Sequence, residues 1–533
     1  MSQTSRHTRG MAVAPHALAA QSALAVLREG GNAVEAMISA AATIAVVYPH
    51  MNSIGGDAFW LIHMPGHAPT AIDACGASAA AATIPWYRER GITEAIPARG
   101  GVAANTVAGT VSGWELALEI SHTELGGRMP LSRLLRDAIH HAKAGVAVTR
   151  SQSETTRVKL EGLAHQPGFA DTFLVHGSPP EAGSLFRQPK LAQTLESLVA
   201  AGLDDFYRGE IGRGIAKDLE AVGSPLHGAD LAQHRAVRRS PLRLDHSRGT
   251  LYNMTPPTQG VVSLLILGIL DRLRVQDCAP DSADYVHLCV EATKLAFEVR
   301  DRYVTDPDDM EVTGQELLSP KRIDELAARV DRRRAQPWGT GRGPADTVWL
   351  GVVDGKGCAV SFIQSLYHEY GSGVVLPHSG INWQNRGCSF SLQEGKLNSL
   401  RPGRKPFHTL NPALASLADG RTMVYGNMGG DGQPQTQSAV FTRTVLYGMT
   451  PQAAISAPRW LLGRTWGQAS DSLKLEARFP PDVVARLREM GHEVEMLGDF
   501  DETVGHAGAI LRHADGTLEG GSDPRSDGGV AAF

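Results

Sequence analysis

Apolar residues recur at helical spacing from Ala17 to Arg28 (ALAAQSALAVLR), and Gly30-Gly31 then stops the run as glycines after a helix do. Asn32 can cap a second helix, whose residues from Ala33 to Val47 are apolar nearly all round. A helix of that kind is buried between layers. The loop Asn52-Ser53-Ile54-Gly55-Gly56-Asp57 leads into a strand-like stretch, Ala58 to His63. From Leu131 to about Arg334 the pattern reads as helix-rich, with Leu191–Ala201 and Ala283–Arg300 as clear runs and no fixed-period repeat.

The texture changes at Gln336 to Asp346 (QPWGTGRGPAD), where three glycines and two prolines fall in eleven residues after the charged run Asp331 to Arg334. This predicts an exposed, flexible connector. Two short apolar segments follow, Thr347 to Asp354 and Cys358 to Gln364, around a Gly355-Lys356-Gly357 turn, which predicts a β-hairpin. The first segment is apolar on both faces and suits a sheet covered on both sides. Apolar helices on covered antiparallel sheets give an α+β fold, a four-layer αββα sandwich.

Composition narrows the functional classes. The 533 residues are 42% hydrophobic and 20% charged, an ordinary globular balance at a length that allows several domains or one large unit. Fifty-one basic against 56 acidic residues give a net charge of −5 without a basic block, which argues against nucleic acid as a partner. Cys75, Cys278, Cys289, Cys358 and Cys388 are odd in number and form no CxxC pair, so a disulfide scaffold or zinc ribbon is not indicated. Neither a signal-peptide core nor a membrane-length apolar run is visible, and a cytoplasmic protein is expected.

Thr347 stands where the connector meets the hairpin. On position alone it reads first as a β-branched strand residue. Cutting the Asp346–Thr347 bond would give it a free α-amine of pKa near 7.7–8.0 beside its hydroxyl, a nucleophile with a built-in base. The cluster Tyr425-Gly-Asn-Met-Gly-Gly-Asp-Gly432 after a strand signal could aim backbone N–H groups at an oxyanion, or form a plain turn. No metal or cofactor is expected: His140-His141 and His287/Cys289/Glu291 lack zinc spacing. The acidic loop from Thr305 to Glu311 reads as a solvated capping turn rather than a calcium loop.

Gly30-Gly31-Asn32-Ala33-Val34, Ser53-Ile54-Gly55-Gly56, Val107-Ala-Gly-Thr-Val-Ser-Gly113, Thr347 with its hairpin, Ser379-Gly380-Ile381, Gly429-Gly430 and Ser522-Asp523-Pro524-Arg525 together resemble the γ-glutamyltransferase family of N-terminal-nucleophile (Ntn) hydrolases. The resemblance runs nearly end to end. It implies a proenzyme that cuts itself into a large chain, 1–346, and a small chain, 347–533, which together form one αββα unit. Two such processed pairs could associate further. It also implies Thr347 as nucleophile, Gly429 and Gly430 as the oxyanion site, and a supporting hydroxyl eighteen residues on, here Ser365.

Departures from the family pattern bear on the substrate. The transferases carry an arginine–glutamate pair after an Ile-Asp, whereas Ile72-Asp73 is followed here by Ala74-Cys75-Gly76. Where the resemblance places a glutamine and an aspartate for an α-ammonium, this chain has Arg386 and Ser389; paired serines become His408-Thr409, and an asparagine becomes Tyr367. Guanidinium, imidazole and phenol groups without a carboxylate for an amine suit a small anion. The combination is similar to the branch of the family that hydrolyses oxamate to oxalate and ammonia in ureide (allantoin) breakdown. Other readings are a γ-glutamyl hydrolase or transferase, an acylase of the cephalosporin type, and an uncleaved, non-catalytic homologue.

Overall fold

The structure is a computed structural model that describes residues 4–338, 346–463 and 470–533. Two seven-stranded antiparallel sheets form its centre. The first runs Gly529–Ala532, Gly10–Ala14, Asp346–Asp354, Ala359–Tyr367, Asp57–His63, Thr70–Ala74, Val237–Arg239. The second runs Ser5–His7, Leu518–Ser522, Ala507–Arg512, Thr422–Asn427, Ala413–Leu417, Gly249–Asn253, Leu242–His246. Between them lies a sealed apolar layer that includes Met11, Phe59, Trp349, Ile363, Val424 and Ile510. Helices Ala17–Arg28 and Ala33–Val47 share one core with the first sheet, while Gly260–Arg272 and Ala283–Tyr303 share another with the second. The fold is the expected αββα sandwich.

Local chemistry explains the agreement at the N-terminus. The Asn32 side chain accepts from the N–H groups of Val34 and Glu35, and Glu35 reaches back to the Asn32 N–H, a complete capping box. The helix it starts is buried along its whole length. The helix-rich middle needs correction, because it contains the strands Val237–Arg239, Leu242–His246 and Gly249–Asn253. Alternating burial marks Leu242–His246 as a half-buried edge strand, but five residues of period two are easily lost among longer helical runs.

Two further expectations change. Gln336 and Pro337 are exposed, yet Trp338 is anchored: its indole N–H donates to Asp471 O at 3.1 Å, and its ring packs against Phe297. The connector residues 339–345 lie outside the described residues. The acidic loop is not merely solvated. Asp306 accepts from the Lys405 N–H at 2.7 Å, and Asp309 pairs with the Arg404 guanidinium at 2.8 Å. These contacts brace the segment that delivers Phe407, His408 and Thr409. Ser522-Asp523-Pro524-Arg525 likewise closes a buried ion network, with Asp523 on Arg459 at 2.6 Å and Arg525 on Glu476 at 2.7 Å.

Among the described residues, no helix is long and apolar enough to cross a membrane. The five cysteines are free.

Candidate active site

Thr347 is the second residue of its strand and is fully buried. The ladder to the neighbouring strand shifts here: Asp346 faces Tyr367 and Val348 faces Gln364, so one residue opposes two. Such a bulge bends a strand and re-aims side chains. Thr347 therefore stands across from Ser365 and Leu366 at an irregular point of an otherwise regular hairpin. Its hydroxyl oxygen lies 3.4 Å from Gln433 Nε2, a long donor contact. Gln433 is oriented in turn by the Asn411 N–H, which donates to its Oε1 at 3.3 Å.

Ser365 is on the adjacent strand, as the hairpin predicts, and is buried. Its hydroxyl accepts from the Tyr367 N–H at 2.8 Å. Tyr367 adopts φ +83°, a left-handed conformation that is unusual for a bulky residue. This backbone reversal turns the phenol ring beneath Arg386, whose guanidinium carbon lies 3.8 Å from the ring centroid.

Arg386 sits in a short turn, Arg386–Ser389, with only 1% of its surface exposed. None of its three guanidinium nitrogens has a hydrogen-bond partner among the described residues. Burial lowers its pKa, while Tyr367 and Asp57 oppose that shift. Ser389 Oγ and Thr409 Oγ1 are also buried without a described partner. Tyr367, Cys388, Ser389, Phe407 and Thr409 line a cavity of about 490 Å³. Buried donors without acceptors are costly, so a cluster of them beside a cavity marks a place where a ligand supplies the missing bonds.

His408 is fully buried, and burial drives its pKa well below the imidazole range. Its Nε2 is 3.1 Å from Asp57 Oδ2, although the alignment is poor for a hydrogen bond. Burial pushes the Asp57 carboxyl up to about 6, against the opposing pull of the Gly76 N–H, Arg386, Gln384 and the Gly109 N–H. Asp73, just before the lost arginine–glutamate pair, accepts from Lys405 Nζ at 2.6 Å. Burial alone would raise the Asp73 carboxyl, but the Lys405 ammonium outweighs it and holds the group below its usual range.

Gly429 and Gly430 follow the strand Thr422–Asn427 and precede the helix Gly432–Phe441, with φ +118° and +51°. Neither N–H donates to another described residue. The following helix adds its positive N-terminal end to two bare donors, an arrangement that suits a developing oxyanion. Asp431 is held away on Arg300 at 2.8 Å.

Asp57, Gln384 and Gln433 escaped the sequence reading. A lone acid after Gly55-Gly56 or a glutamine in a polar stretch carries no periodic signal, and their partners are remote in sequence. Elsewhere, His287, Glu291 and His492 converge within 4.8 Å, a grouping that sequence spacing does not reveal because His492 comes from the last quarter of the chain. His287 Nδ1 meets His492 Nε2 at 2.8 Å, and Glu291 is engaged by Lys294 Nζ at 2.6 Å.

The family model described as gamma-glutamyltranspeptidase matches residues 19–533. The chain is 60% identical over 526 residues to the oxamate amidohydrolase proenzyme of Klebsiella pneumoniae, with 99% of each covered. It is 39% identical over 531 residues to the glutathione hydrolase-like YwrD proenzyme of Bacillus subtilis, again with 99% of each covered. The crystal structure of cephalosporin acylase from Bacillus halodurans superposes with a TM-score of 0.90 at 32% identity, covering 100% of this chain and 97% of that one. The chain belongs to the gamma-glutamyltranspeptidase family and is an amide-cleaving hydrolase of the Ntn type.

Proposed function

We propose that this protein is a self-processing amidohydrolase that converts oxamate to oxalate and ammonia. The observation that carries the reading is Arg386, a buried guanidinium stacked on Tyr367 whose three nitrogens have no hydrogen-bond partner among the described residues. Such a group wants an anion small enough to enter. The 60% identical relative is named an oxamate amidohydrolase proenzyme, which supports the same choice.

Maturation begins with Thr347 Oγ attacking the Asp346 carbonyl, and water then opens the ester. The products are a large chain, 1–346, and a small chain, 347–533, that remain one folded unit. Thr347 gains an α-amine that titrates near neutrality and takes the hydroxyl proton as Oγ attacks the oxamate amide. Gly429 and Gly430 N–H groups receive the oxyanion, with Ser365 supporting the hydroxyl. Arg386 holds the adjacent carboxylate, with Ser389 and Thr409 around it, and His408 is a further substrate contact. The C–N bond breaks as the amine returns its proton to ammonia, and water releases oxalate from the oxalyl ester. Similarity to the oxamate-hydrolysing branch of the family supports a role in ureide (allantoin) breakdown.

Ammonia release measured across oxamate, glutamine, glutathione and glutaryl amides tests the reading. Oxamate should be turned over well ahead of the others. Preferred release from a γ-glutamyl compound would replace it with the transferase reading.

A further inference from the structure

Asp57 begins its strand directly opposite Ser365 and is fully buried. One carboxylate oxygen is saturated: Oδ1 accepts from the Gly76 N–H, the Gly109 N–H and Gln384 Nε2, each at 3.1 Å. The two glycines make this possible. A Cβ on Gly76 would lie 1.7 Å from Val107 O, and one on Gly109 would lie 2.2 Å from Ala74 O. Gln384 is itself tied down, since its Nε2 also donates to Val107 O at 2.9 Å. The carboxylate cannot rotate without breaking three bonds.

Its other oxygen has no hydrogen-bond partner among the described residues and lies 3.1 Å from His408 Nε2, which has none there either, so the two meet at hydrogen-bond distance but off the line of a good bond. The histidine is fixed from behind. Its N–H donates to Pro257 O at 2.9 Å, its carbonyl accepts from the Gln259 N–H at 2.9 Å, and Phe59 packs edge-on at 5.0 Å. Nδ1 of His408 is buried with no described partner. Arg386, Asp73 and Lys405 are the other charges that the imidazole senses. An anchored carboxylate at that distance favours a proton on the facing imidazole nitrogen, because an ionised oxygen can only accept, and a small rotation of the ring would align the bond.

We propose that Asp57 is a positioning residue that keeps the His408 proton on Nε2, so that Nδ1 accepts a hydrogen bond from the N–H of a primary amide substrate. The inference rests on the carboxylate-amide reading above and assigns the half of the pocket that reads the amide end. Arg386 then recognises the anion and His408 the leaving nitrogen. Cys75 and Gly76 stand where the resemblance places the transferase clamp. The same departure supplies one of the N–H groups that anchor Asp57.

Asp57→Asn separates these roles. Asparagine can keep the Oδ1 bonds, but it turns an NH₂ toward Nε2 and forces the proton to Nδ1. Two oxalyl substrates, oxamate and monomethyl oxalate, share the carboxylate but differ in the N–H. The variant should lose roughly tenfold or more in kcat/KM on oxamate and little on the ester. In parallel, ¹⁵N spectra of histidine-labelled wild-type protein at pH 8, with His408 assigned by comparison with His408→Gln, should place the proton on Nε2. Equal effects on amide and ester, or a wild-type proton on Nδ1, would overturn the proposal. If Asp57→Asn fails to fold, the wild-type spectrum decides alone. If wild-type enzyme cleaves neither oxalyl compound, the substrate reading fails, while the tautomer still tests Asp57.

Discussion

The guanidinium of Arg386 lies 3.8 Å above the ring of Tyr367, and no described acid hydrogen-bonds it. The ring offsets part of the cost of burying a charge without consuming any N–H group. A desolvated cation–π contact is worth about 2 kcal/mol. Tyr367→Phe should therefore retain most activity, whereas Tyr367→Ala should raise KM for oxamate by roughly tenfold. Steady-state kinetics on the two variants check this, and equal losses would assign the role to the phenol oxygen instead.

Thr347→Ala removes the nucleophile of both reactions. The variant should remain one 533-residue chain on a denaturing gel and show no turnover. Sequencing of the wild-type small chain should start Thr-Val-Trp-Leu. A fully active wild-type protein that stays intact would rule out the Ntn mechanism.

Ser365 does two jobs in this site. Its oxygen accepts from the N–H of Tyr367, which helps hold that residue at φ +83°, and it stands across the bulge from Thr347. Ser365→Ala should slow self-cleavage and turnover and lower stability by about 1 kcal/mol. Ser365→Thr keeps the hydroxyl and should be tolerated. An Ala variant that matures and turns over at the wild-type rate would leave Ser365 a packing residue.

Asp57 gives a pH dependence with a definite sign. Its folded value of about 6 lies above the ordinary 3.8, so the folded chain keeps a proton that the unfolded chain has released between those pH values. The corresponding stability is full below pH 3.8 and is lost as pH rises through about 6. Asp57→Asn should accordingly be more stable than wild type at pH 8, by on the order of 1–3 kcal/mol, with no gain at pH 3.5. Melting curves at the two pH values test this. A variant destabilised only at pH 8 would mean that the three donors on Oδ1 favour the anion more than burial opposes it.

Residues whose role is local were legible in the sequence. Asn32 announces a helix start, the Gly355–Gly357 turn announces a hairpin, and the hairpin places Ser365 beside Thr347. Residues whose role depends on long-range convergence were not. Asp57 meets N–H groups of Gly76 and Gly109, and Gln433 meets Thr347 from 86 positions away. Such contacts depend on strand order and on the absence of a Cβ at two glycines, which no periodicity encodes. Arg386 was intermediate: the family pattern marked its position as unusual, but only the fold shows that it is buried with nothing described to pair with.

The anion-selecting pocket is tested most directly by kcat/KM on oxamate and on its uncharged diamide, oxamide, with wild-type and Arg386→Gln enzyme. Wild-type protein should prefer oxamate. The substitution should cost roughly tenfold to a hundredfold on oxamate, little on oxamide, and little in the rate of self-cleavage, which involves no substrate anion. Equal wild-type efficiency on the two amides, or an Arg386→Gln variant that still prefers oxamate, would contradict it.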